Sequence, residues 1–110
     1  MKYNPLPQVL EGLKELSDKE FQLHAWTGKT PGLQSSLVEA TEGLYSDSGY
    51  SIALDENGTV FGQKIDSLLR DLAKAISIVE EEIYTADAIN SSNMEIVRKK
   101  AEDILKLLLD

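Results

Sequence analysis

The chain has 110 residues, 42% of them hydrophobic and 27% charged, the balance of one globular domain with a single core rather than of a disordered segment. Its formal net charge of -8 argues against nucleic acid as a partner, because phosphate binding needs clustered Lys and Arg. With no cysteine there is no disulfide framework, thiolate metal site or Cys nucleophile, a composition suited to a reducing cytoplasm.

Pro5 and Pro7 open the chain as an extended or turn segment, because each ring fixes its own φ and disfavours helical geometry in the residue before it. The opening holds one Lys and no apolar run, so it does not read as a signal peptide. Leu6, Val9, Leu10, Leu13 and Leu16 then recur at helical spacing. Gly12 weakens that helix by up to about 1 kcal/mol without ending it. Ser17 and Glu20 form the Ser-x-x-Glu pattern of a capping box, the start of a second helix that carries Phe21, Ala25 and Trp26 and stops at Gly28. Thr30 followed by Pro31 reads as a third helix start. Leu33, Leu37, Ala40 and Leu44 form its buried stripe, and it frays beyond Gly43 into a polar turn over residues 45–49.

Tyr50, Ile52 and Leu54 alternate like a strand, and Asp55-Glu56-Asn57-Gly58 resembles a hairpin turn, so a short hairpin over residues 50–61 is one reading. A single helical turn through Ile52 and Leu54 is the preferred one, since a two-stranded hairpin this short is marginal. Residues 60–84 form the longest uninterrupted pattern: Phe61, Ile65, Leu68, Leu72, Ala75, Val79 and Ile83 fall on one helical face, widened by Leu69 and Ile76. A continuous helix there spans roughly 35 Å and must be covered by other segments. Ser92 and Glu95 supply a second capping box. The last helix buries Met94, Val97, Ala101, Ile104, Leu105 and Leu108 and turns Arg98, Lys99, Lys100, Glu102 and Asp103 outward. The expected fold is all-α, one domain over residues 1–110, a bundle of about five helices around the long helix at 60–84. Nowhere do about 18 apolar residues run together, so no membrane span is expected.

The distribution of charge says more than its total. Residues 30–63 contain no Lys or Arg but hold Glu39, Glu42, Asp47, Asp55 and Glu56. Residues 75–97 hold Glu80, Glu81, Glu82, Asp87 and Glu95 with no base before Arg98. The run at 80–82 opposes its own helix, whose C-terminal end prefers cations by about 0.3–1 kcal/mol each. Tyr45, Tyr50 and Tyr84 lie beside these acids, and tyrosine is favoured at interfaces because it joins a rigid apolar ring to a polar tip. Tyr45, Asp47, Tyr50, Asp55, Glu56, Glu80, Glu81, Glu82, Tyr84 and Asp87 are therefore the candidate partner-binding residues. The blander reading is that these acids are the solvated faces of amphipathic helices.

Signals for catalysis are weak. His24 is the sole histidine, so a His-based metal site or a nucleophile triad has one ring to build on. Gly28-Lys29-Thr30 has Leu23 where a P-loop needs its first Gly, and an EF-hand loop starting at Asp55 would place Val60 where Gly is required. The carboxylate pairs Glu39 with Glu42 and Glu80 with Asp87 leave a Mg²⁺-dependent enzyme as a minor alternative. No catalytic, cofactor-binding or metal-binding residue is assigned, and the chain is not read as an enzyme.

With its size, acidity, lack of cysteine, and the tyrosines and acids of residues 45–56 and 80–87, the chain resembles the small immunity proteins that bacteria make against their own toxins in contact-dependent inhibition and bacteriocin systems. That resemblance implies a cytoplasmic inhibitor that binds a basic toxin domain, often a nuclease, by covering the groove that would hold phosphate. Opposed fields speed such an encounter, and buried tyrosine and aspartate contacts slow release. The alternative is a helical adaptor or structural subunit acting through an apolar face with surplus positions such as Ile78.

Overall fold

Among the residues that the computed structural model describes, 6–26, 37–79 and 89–109, helical spacing in the sequence becomes six helical segments. They are α1 (Leu6–Ser17), α2 (Lys19–Ala25), α3 (Leu37–Glu42) running into a π-helical turn (Gly43–Asp47), α4 (Tyr50–Asn57), α5 (Gln63–Val79) and α6 (Ser92–Leu109). Among the described residues there is no strand: of the two readings of residues 50–61 the helical one holds, over Tyr50–Asn57, as two turns rather than one. A radius of gyration of 13.8 Å compares with about 13 Å for a single domain of this length. No helix among the described residues is long and apolar enough to cross a membrane.

The apolar stripes meet as their spacing requires. Val9, Leu13 and Leu16 of α1, Leu37, Ala40 and Leu44 of the α3 segment, Leu69, Leu72, Ile76 and Val79 of α5, and Met94, Val97, Ala101 and Ile104 of α6 form one core. α6 joins its halves, packing against α1 on one side and α5 on the other. On α5 the buried face is rotated from the expected one: Leu69 and Ile76 are fully covered, whereas Ile65 and Leu68 are half-buried. Gly12 has a packing role that its helix propensity conceals. A Cβ there would lie 2.9 Å from Leu44 Cβ and 3.3 Å from Leu44 Cα, so the glycine lets α1 lie directly on the π turn.

The helix ends and Arg98 differ from expectation. α2 is capped one residue later than the Ser17–Glu20 box, by Asp18, whose carboxylate accepts the Phe21 N–H at 3.0 Å; Ser17 instead ends α1, donating to the Lys14 carbonyl. α6 is capped one residue earlier than expected, by Ser91, whose hydroxyl accepts the Met94 N–H at 3.2 Å. The long helix starts at Gln63 rather than at 60. Gly62 takes φ 98°, and the Val60 and Phe61 N–H groups turn back to the Asp66 carboxylate instead of entering the helix. The expected extension to residue 84, the Gly28 stop and the Thr30-Pro31 start lie outside the described residues.

Arg98, expected to face solvent, is buried, because the far end of its guanidinium meets partners from distant segments. It donates to Gln22 Oε1 at 3.1 Å, to the Ile89 carbonyl at 2.7 Å and to Glu95 at 2.8 Å. Gln22 is itself buried and donates to the Glu15 and Leu16 carbonyls, each at 2.9 Å, so the free C-terminal end of α1 is tied through it to α6.

Candidate functional site

Gln8, Glu11, Gly12 and Glu15 stand at positions i, i+3, i+4 and i+7 of α1, one face of the helix. That face lies along Glu39, Ala40, Gly43 and Asp47 of the α3 segment, and the small residues between them leave a groove of about 270 Å³. Its walls carry four carboxylates, from Glu11, Glu15, Glu39 and Asp47. The field inside registers on Glu15. Partial burial, and then the neighbouring charges of Glu11 and Glu39, push its carboxyl above the usual range. The groove is therefore lined by acids and open to solvent, and its charge favours a cationic side chain brought from outside.

Of the sequence candidates, Asp47 is exposed and lines this groove. Asp55 and Glu56 are exposed on α4. Tyr50 is 3% exposed, and its hydroxyl donates to Asp66 at 2.8 Å. Tyr45 is half-buried and donates to the Leu69 carbonyl at 2.6 Å. The rings of Tyr45 and Tyr50 meet edge to face with centroids 6.1 Å apart, and Tyr50 stacks on Phe61 at 5.7 Å. Burial and these partners raise both phenol pKa values, so both stay neutral donors that hold the acidic segment from within. Glu80, Glu81, Glu82, Tyr84 and Asp87 lie outside the described residues.

Sequence reading passed over Glu11 and Glu15, because Lys14 lies between them and α1 forms no base-free window. The signal was their spacing from Gly12, which marks the face that another helix approaches closely. It passed over Asp66 as well. That side chain is 5% exposed and accepts from the Tyr50 and Thr59 hydroxyls and from the Val60 and Phe61 N–H groups, at 2.8, 2.7, 2.9 and 3.2 Å. Burial alone raises its pKa; the four hydrogen bonds outweigh burial and hold it below the ordinary carboxylate value.

Elsewhere on the surface, Lys99 pairs with Asp103 and Lys106 with Glu102, each one turn apart along α6. His24 is exposed in the last turn of α2. Among the described residues no group of three or more His, Cys, Asp or Glu side chains is placed to hold a metal ion. Fold and groove together define an all-helical acidic globule. No family model, curated protein or solved structure matches the chain.

Proposed function

We propose that this chain is an acidic protein-binding module that acts without catalysis in the cytoplasm and neutralises a cognate basic toxin domain, in the manner of an immunity protein. The groove between α1 and the α3 segment is the observation that carries the reading. Four carboxylates from two separate parts of the chain line it, and the repulsion that Glu15 feels from Glu11 and Glu39 is relieved when a lysine or arginine of the partner enters. Such a field also speeds encounter with a basic surface and selects against acidic ones. A toxin domain such as a nuclease, whose own cleft is built to attract phosphate, is the matching class of partner.

The test is calorimetric titration against the purified basic product of the adjacent gene, at low salt and again near 1 M, where the screening length falls to about 3 Å. A complex that weakens steeply with salt, and whose association slows when Glu11, Glu15 and Glu39 are changed together to Gln, is the expected result. Absence of a complex at low salt refutes the proposal. A homodimeric adaptor is the second reading, supported by Ile78, which is 65% exposed on α5. It predicts a dimer mass by light scattering that does not change with salt.

A further inference from the structure

α4 meets the core through Tyr50 and Leu54 and is tied by hydrogen bonds at both ends. Tyr50 is buried and Leu54, one turn later, packs against the core, whereas Ile52 lies roughly 200° around the helix from Tyr50 and is 63% exposed. Asp55 and Glu56 follow Ile52 at three and four residues, the spacing that sets them beside it, and both are exposed. The outer face of α4 is thus an aliphatic side chain flanked by two carboxylates, in a segment that contains no Lys or Arg between residues 30 and 63.

Both ends of α4 are tied to one carboxylate in the first turn of α5. Tyr50 at its start donates to Asp66, and so do Thr59 and Val60 just past its end. Gly58, at φ 78°, closes the helix with an N–H donated to the Leu54 carbonyl at 2.7 Å, and Ser48 Oγ accepts the Tyr50 N–H at 3.1 Å. A segment ordered before contact loses little freedom on binding, which is the condition under which a two-turn face contributes affinity.

We infer that α4 is the recognition helix of the module, with Ile52 as its apolar anchor and Asp55 and Glu56 as the charged pair that orients it. The occupant is a basic protein surface in which an apolar pocket is rimmed by Lys or Arg. This rests on the binding reading above and names the residues that enter the partner. Charge complementarity selects that occupant. A second copy of α4 would bring like charges together, and an anionic lipid surface would repel the same two carboxylates. An anchor seated in a pocket and ringed by polar contacts is the usual form of a binding hot spot.

The test uses the full chain and two probes: the purified basic product of the adjacent gene, and poly-L-arginine as a probe of charge alone. Ile52→Ala weakens binding of the adjacent product by about tenfold and leaves poly-L-arginine binding unchanged. Paired Asp55→Asn and Glu56→Gln changes weaken both. All three positions are exposed, so melting temperatures stay at the wild-type value, and a benzophenone side chain at position 52 crosslinks to the bound product. If the wild-type protein forms a complex that survives these changes and the position-52 crosslink fails, α4 is not the recognition element and only this inference falls. If the wild-type protein forms no complex at all, the module reading falls with it.

Discussion

Replacing Asp66 by Asn keeps the shape of the side chain and removes its charge, and the geometry sets the cost. Each carboxylate oxygen takes one hydroxyl and one backbone N–H: Tyr50 and Phe61 on one, Thr59 and Val60 on the other. An amide offers one such oxygen, and where its NH₂ replaces the other, the facing hydroxyl can rotate to accept but the facing N–H cannot. One N–H is left unsatisfied, at about 1–3 kcal/mol, and the remaining bonds lose the assistance of the charge. The expected loss is roughly 2–4 kcal/mol out of a typical total of about 5–15. Urea denaturation followed by the fluorescence of buried Trp26 measures it. The sign with pH follows from the lowered folded-state pKa. Asp66 contributes fully above its unfolded value near 3.8, and that contribution is lost as pH falls through the lower folded value. The gap between wild type and Asp66→Asn therefore closes as pH falls below about 3.8. A variant as stable as wild type at neutral pH, or a gap that does not change in acid, refutes the account of this carboxylate as the anchor of α4.

Gly12→Ala gains about 1 kcal/mol of helix propensity. The new Cβ nonetheless meets Leu44 at 2.9 Å, so a net loss of about 1–3 kcal/mol and a lower melting temperature are expected; a higher one refutes the close approach of α1 to the π turn. Arg98→Met leaves Gln22 Oε1 and the Ile89 carbonyl without their donor and costs about 2–4 kcal/mol by urea denaturation. Glu95→Gln, at an exposed partner, changes little, and Arg98→Lys recovers only part, since one ammonium cannot reproduce the planar fork. An Arg98→Met protein with an unchanged midpoint refutes the network. Glu15 has a raised folded-state pKa, so its ionised form destabilises the fold above that value, and the penalty disappears as pH falls to the unfolded value of 4.5. Glu15→Gln should then raise the melting temperature at pH 7, match wild type at pH 4 and below, and weaken capture of a basic partner. An unchanged melting temperature at pH 7 refutes the repulsion in the groove.

Helix identity was legible in the sequence because it is a local property. The stripes of α1, α5 and α6 were present in the spacing of Leu, Ile, Val and Ala, and the hairpin reading of 50–61 yielded to a helix that Gly49 and Gly58 bound with positive φ. The two capping boxes were each located to within one residue. Ser17-Asp18 and Ser91-Ser92-Asn93 each offer adjacent oxygens of similar capping strength, and only the register imposed by core packing chooses between them. Base-free windows drew attention to Asp47, Asp55 and Glu56, which are exposed, but not to the company that Asp47 keeps.

What required the tertiary structure was every feature made by a partner outside the residue's own helix. Arg98 reads as a surface base until Gln22, 76 residues earlier, meets it in the interior. Tyr50 reads as an interface residue until its hydroxyl finds Asp66, and Asp66 reads as an ordinary first-turn acid until Thr59, Val60 and Phe61 fold back onto it. The anionic groove belongs to neither α1 nor the α3 segment alone. It exists because Gly12 lets two helices lie close enough for their acids to share one field, and burial and proximity, unlike periodicity, are properties of an arrangement rather than of a string of residues.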